Sequence, residues 1–200
     1  GESATYMWPH MFHLVGQEYE RRYGLQYRHL ARIAEINIGN ARRNPLAQTR
    51  HWNFTPASFT QDDEANPVIE GMVRRQDCGQ VTDGAAAVVL ASPRFAQAWA
   101  QARGMSLDQV PHIAGWGHRT AHLMLEPKLQ ASAGQPYVFP HVRQAIQDAF
   151  HRAGVRDVFD LQGIETHDCF TTTEYMAIDH FGITPPGQSW RAVEDGTIAA

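Results

Sequence analysis

Apolar side chains return at three- and four-residue intervals through the first forty positions of this chain. Met11, Leu14, Val15, Tyr19 and Tyr23 share one face, and Gly24 follows. That spacing predicts an amphipathic helix ended by a glycine. Leu30, Ile33, Ala34, Asn37 and Ile38 form a second stripe, and Asn44-Pro45 stops it. The second helix is therefore expected over about Tyr27 to Ala41. The pattern then breaks. Residues 44–67 are polar, carry Pro45, Pro56 and Pro67, and include the acidic run Asp62-Asp63-Glu64, as an excursion from a core would.

Apolar runs of another kind follow. Val68 to Val73 reads as a strand or the end of a helical turn. Asp83 to Ser92, Gly and Ala leading into Val88-Val89-Leu90, reads as a buried strand. Pro93 opens a helix to Arg103, with Gly104 just past its end. Pro111 to Gly117 and Val158 to Ile164 read as further strands. Between them His141 to Ala153 presents a buried stripe of Val142, Ile146, Ala149, Phe150 and Ala153, stopped by Gly154. Thr171 and Glu174 have capping-box spacing, and Tyr175, Ile178 and Phe181 carry a helix to Gly182. The tail after Pro185-Pro186 reads as loop. Strands alternating with helices predict a layered α/β fold.

Composition narrows the function classes. Two hundred residues at 43% hydrophobic and 10% aromatic suit a globular protein with a real core. A net charge of −4 gives no reason to expect nucleic acid. Sixteen Arg against the single Lys128 are scattered rather than clustered. Cys78 and Cys169 are the only cysteines, so a disulfide framework is not expected and a reducing, cytoplasmic setting is. No apolar run reaches membrane-spanning length, so no membrane association is expected. Gly1-Glu2-Ser3 reads as an interior start.

Candidate chemistry concentrates where the apolar run Val158 to Ile164 meets His167-Asp168-Cys169-Phe170 and a helix signal. Ligands of open α/β sheets bind beyond the carboxyl ends of strands, and a helix N-terminus favours developing negative charge. His167 is therefore a candidate catalytic residue, with Asp168 as its orienter or as the helix cap. Cys169 reads either as a nucleophile, since a helix N-terminus lowers a thiol pKa, or as a packed thiol. Cys78, in Gln76-Asp77-Cys78-Gly79-Gln80, reads as packed. His118-x-x-x-His122 and His10-x-x-His13 fall short of the three or four ligands zinc needs, so no metal is expected. Neither a dinucleotide fingerprint nor a P-loop occurs.

Three segments resemble the thiolase family, in its sterol-carrier-protein-type branch, which includes acetyl-CoA acetyltransferases: Asn44-Pro45-Leu46-Ala47-Gln48; Asp77-Cys78 through Thr82-Asp83-Gly84-Ala85-Ala86-Ala87 to Ser92; and His167-Asp168-Cys169-Phe170. The resemblance implies a thiolase-like layered αβαβα fold of which this chain is an internal part. Residues 1–67 would be the helical loop domain, 68–92 the end of the N-terminal domain, and 93–200 a linker helix and the first part of the C-terminal domain.

It also implies acyl transfer between CoA thioesters, by Claisen condensation or by thiolytic cleavage of a 3-ketoacyl-CoA. His167 would then bind the thioester oxygen in an oxyanion hole, and Cys169 would not be the nucleophile. The nucleophilic cysteine would precede residue 1. The Gly-His-Pro histidine and a second catalytic cysteine would follow residue 200, leaving this chain inactive alone. CoA and acyl-CoA are implied as substrates, with no covalently bound cofactor and a homo-oligomeric intact protein. Met11 and Phe12 are the implied substrate-binding residues. The competing expectation is a thiolase-fold subunit that binds CoA esters or scaffolds a complex without catalysis.

Overall fold

The computed structural model describes residues 4–199; the reading of Gly1-Glu2-Ser3 lies outside them. Helices dominate. In chain order they are α1 (Met7–Tyr23), α2 (Tyr27–Arg43), α3 (Pro93–Gln101), α4 (Leu125–Ala131), α5 (Pro140–Ala153), α6 (Thr171–Phe181) and α7 (Ser189–Glu194). Strands β1 (Val68–Glu70) and β2 (Val73–Arg74) make an antiparallel hairpin, the one sheet among the described residues.

The α1–α2 hairpin forms where the two apolar stripes predict it. Gly24 makes the turn at φ 77°, a conformation that favours glycine. The start of α1 has no side-chain cap of its own. Glu70 of β1 supplies one from afar: its Oε2 accepts the Thr5 and Tyr6 amides at 3.2 and 3.3 Å, placing an anion at the positive end of the helix.

The core lies between this hairpin and the C-terminal helices. Val15, Tyr19, Leu30 and Ile33 meet Leu125, Val138, Tyr175, Met176, Ile178, Ala192 and Val193, so it draws on residues from both ends of the chain. Helix α6 is buried nearly all round, and its buried face includes Thr171, Thr172, Asp179 and His180. Those polar groups need partners inside the protein, and their partners shape both the core and the site.

Several elements depart from the sequence pattern. The segments read as strands at 83–92, 111–117 and 158–164 form no ladder. Val88, Val89 and Leu90 are 85%, 91% and 74% exposed, because no neighbouring strand among the described residues lies beside them. Residues 158–160 form a 3-10 turn rather than a strand start. The tail after Pro185-Pro186 is not loop: α7 buries Ser189, Ala192 and Val193, and Arg28 and His29 of α2 bond its Glu194. The α5 stripe is half-buried at most, with Val142 exposed.

What covers α5 in part is the extended segment around Gly115 and Gly117. A Cβ on Gly117 would lie 1.7 Å from the Ala145 carbonyl oxygen, and one on Gly115 2.2 Å from that of Ala149. Arg152 bonds the Trp116 carbonyl, and Arg119 pairs with Asp148 at 2.6 Å. Gly117→Ala is therefore expected to lift this segment from α5 and lower stability by about 1–3 kcal/mol, the usual cost of overpacking. An unchanged melting temperature would mean that this contact contributes nothing to the fold.

Candidate functional site: the His167 turn

Residues 161–170 run extended into α6. The turn is pinned from below by Phe170 and from the side by Asp77. Phe170 is buried, forms an isolated antiparallel bridge with Cys78, and stacks on Phe12 of α1 with centroids 4.3 Å apart at 23°. The Gly79 amide donates to the Cys169 carbonyl at 2.8 Å. Asp77, almost wholly buried, gathers donors from three elements. Its Oδ1 accepts the Thr171 hydroxyl at 3.0 Å and the Tyr27 phenol at 3.3 Å, and its Oδ2 accepts the Arg74 amide at 2.8 Å. Burial outweighs those bonds and pushes the Asp77 carboxyl up to about 6.

His167 stands exposed on this turn, four residues ahead of the first residue of α6. No hydrogen bond or ion pair occupies its ring among the described residues. An imidazole held at a helix N-terminus with both nitrogens free can donate to an incoming oxygen.

Asp168 does neither of the jobs the sequence suggested. Helix α6 has no side-chain cap, and the Asp168 carboxylate does not hold the imidazole. Its Oδ2 accepts the Asn37 amide nitrogen at 2.6 Å, and that same nitrogen donates to Glu174 Oε2 at 2.8 Å. Burial first, then the neighbouring Glu174 carboxylate, pushes Asp168 up to about 7. The capping-box reading of Thr171 and Glu174 fails with it, since Glu174 reaches across to α2 instead of back to the helix start.

Neither thiol is activated. Burial pushes Cys78 up to about 12, and its Sγ donates to the Arg74 carbonyl. Burial also raises Cys169, against a lowering bond from Thr173. No hydrogen bond joins Cys169 to His167 among the described residues, so the nucleophile reading of Cys169 fails for want of both base and thiolate.

Met11 and Phe12 do not converge. Phe12 packs on Phe170, whereas Met11 lines a groove of about 1010 Å³ between α1 and α4 with Leu14, Arg21, Met124, Glu126 and Leu129. The groove wall is largely apolar and carries Glu18, Glu20 and Glu126 beside Arg21, which suits a hydrocarbon better than a phosphate. The residues that sequence reasoning missed are Asn37, Glu174 and Asp77. Only Asn37 left a signal, as the one polar side chain on the apolar stripe of α2. Among the described residues no three of His, Cys, Asp or Glu are grouped to hold a metal ion, and no helix is long and apolar enough to cross a membrane.

The described residues make a mixed α/β chain with an imidazole on the turn ahead of a buried helix. Residues 127–200 match the thiolase C-terminal domain-like family, and the resemblance of the whole chain to the thiolase family, in its sterol-carrier-protein-type branch, stands. Human sterol carrier protein 2 is 28% identical over 196 residues, which is 98% of this chain and 34% of that protein. The acetyl-CoA acetyltransferase of Methanothermobacter thermautotrophicus is 25% identical over 189 residues, 94% of this chain and 44% of its own length. The non-specific lipid-transfer protein-like 2 of Caenorhabditis elegans is 27% identical over 190 residues, 92% and 42%. The chain thus spans about a third of the length of the sterol carrier protein relatives it matches.

Proposed function

We propose that this chain is the central portion of an acyl-CoA thiolase, transferring acyl groups between CoA thioesters, with His167 as a donor to the thioester oxygen. The observation that carries this reading is the His167 turn: a free imidazole ahead of α6, braced by Asp77, Phe12 and Asn37. A donor preset where an enolate oxygen develops stabilises the transition state more than the ground state. The layered thiolase arrangement would give the unpaired segments 83–92 and 111–117 their neighbours, and the α1–α2 hairpin would act as the loop domain. The groove beside Met11 would take an acyl or pantetheine chain. A homo-oligomer of the intact protein belongs to the same reading.

The chain by itself is expected to bind acetyl-CoA weakly, at about millimolar, roughly 4 kcal/mol, and to show no thiolysis of acetoacetyl-CoA, because both its thiols stay protonated. Calorimetry and a thiolysis assay check the two halves. Turnover by this polypeptide near that of a complete enzyme would sink the second half. In a polypeptide extended by its flanking coding sequence, His167→Ala should lower kcat by about 10²–10³, as loss of one oxyanion donor does. The inert thiols also favour a second reading, a thiolase-fold subunit that binds CoA esters without catalysis. Flanking sequence that lacks a reactive cysteine, together with intact acetyl-CoA binding, would select it.

A further inference from the structure

We propose that Asp168 and Glu174, bridged by the Asn37 amide, retain one proton between them, and that this bridged carboxyl pair is the positioning device that holds the His167 turn onto α2. One amide nitrogen, Asn37 Nδ2, reaches both carboxyl groups, at 2.6 Å to Asp168 and 2.8 Å to Glu174. Neither acid has an ion pair among the described residues. The groups that face Asp168 offer no cation: Asp77 and Cys78 from the turn after β2, Asn37 and Asn40 from α2, Glu174 from α6, and Glu165 from its own segment. His167 is the adjacent residue. Two carboxylates sharing one small donor repel, and retaining one proton between them removes the repulsion. Asp168 Oδ1 supports this placement. It is buried with no hydrogen-bond partner, so no donor there stabilises a negative charge.

The consequence for His167 follows from connectivity. The pair ties residue 168 to α2 and α6 at once, so it adds a tether beside the imidazole to those of Phe170 and Asp77. When the last shared proton leaves, two negative charges face each other across Asn37 and the turn moves off α2. The proposal rests on the thiolase reading only in naming His167 as the group being positioned. Asn37 and Glu174 act through Asp168 and need not touch substrate.

The test uses this chain. The ring Cε1–H signal of His167, assigned by its loss in His167→Gln, is followed by NMR from pH 4 to 9. Two inflections are expected, one from the imidazole and one from the pair. Glu174→Gln, nearly isosteric, should remove the second and leave far-UV circular dichroism unchanged. A single inflection in the parent chain, or a second one that survives both Glu174→Gln and Asp168→Asn, overturns the proposal. Infrared spectroscopy of the parent chain does not depend on a variant folding: at pH 7 it should show a protonated-carboxyl C=O band that survives Asp77→Asn, and absence of that band overturns the pair. Failure of acetyl-CoA to bind while the band is present would remove the thiolase reading and leave the carboxyl pair standing.

Discussion

Asp179→Ala is expected to lower the melting temperature by about 10 °C or more, the largest single-residue loss of stability in this chain. The carboxylate is 1% exposed at the centre of the core. Its Oδ2 accepts the Tyr19 phenol at 2.8 Å and the Gly187 amide at 2.9 Å, and its Oδ1 accepts the His180 Nδ1–H at 2.6 Å. Burial and the Asp179 charge both drive the Tyr19 phenol strongly upward, so it remains a donor at any ordinary pH. His180 accepts the Phe139 amide at its Nε2, which requires a lone pair there and fixes Nδ1 as the protonated nitrogen.

Alanine at 179 would take a charged acceptor from three buried donors: the Gly187 amide would be left unsatisfied, while the Tyr19 phenol would keep Ser189 Oγ at 3.1 Å and the His180 Nδ1–H the Met176 carbonyl at 2.7 Å. A hydrogen bond to a charged group contributes about 1.5–3 kcal/mol, so a loss of about 4 kcal/mol for three of them is a conservative sum. At roughly 2–4 °C per kcal/mol for a chain of this size, that is the stated drop. Calorimetry checks it, and a fall under about 3 °C would mean that the network contributes little. Asp179→Asn should cost less, because its remaining oxygen keeps one donor satisfied.

The second large effect is an inverted pH dependence of stability. The folded-state carboxyls of Asp77 and Asp168 titrate at about 6 and about 7, above the ordinary aspartate value of 3.8. Between about pH 4 and 7 the folded chain therefore binds protons that the unfolded chain has released. Stability must fall as pH rises through that window. Each tenfold gain in a group's proton affinity on folding is worth about 1.4 kcal/mol, so the two groups together remove up to about 7 kcal/mol by pH 8.

The acids held below their ordinary values, Glu18, Asp62, Asp108, Glu194 and Asp195, act below this window. Arg21 and Arg22 hold Glu18 down at about 2, so its contribution is present above about pH 4.5 and lost only as pH falls toward 2. Burial lowers His141, which raises stability as pH passes its range, but by one group against two. Urea midpoints should thus be higher at pH 5 than at pH 8, and Asp168→Asn or Asp77→Asn should flatten the difference. Midpoints that climb steadily to pH 8 would contradict the assignment.

Which of these features could be read from the chain alone depends on the range of the interaction. The α1–α2 hairpin was legible because its stripe, its Gly24 turn and its Asn44-Pro45 stop are all local. Helix α7 was not: at six residues, behind two prolines, it has too few positions to show a period and forms against α2 and α6. The segments at 83–92 and 111–117 have strand composition, but a ladder needs a neighbour, and composition says nothing of its presence.

At the site, His167 was legible as the polar residue at an extended-to-helix junction. Glu174 was misread because Thr171 and Glu174 match the capping-box spacing, whereas Thr171 is the first helical residue rather than the residue before it. The helix start sits one position off the motif, which frees Glu174 to meet Asn37. The Asp77 staple was beyond sequence reading altogether. Two of its donors, Tyr27 and Thr171, lie 50 and 94 residues away.

The turn that carries His167 joins two very unlike stretches of chain. After it comes α6, sealed in the core by Tyr175, Met176 and Ile178; before it come residues 161–166, extended and largely open to solvent. The imidazole is thus clamped at one end only, like a pointer fixed at its base. Its reach is set by α6, but its bearing is left to whatever settles against the open side. Binding energy from a neighbouring segment or a substrate would then go into aiming it, so that reactivity at this position rises at the expense of affinity.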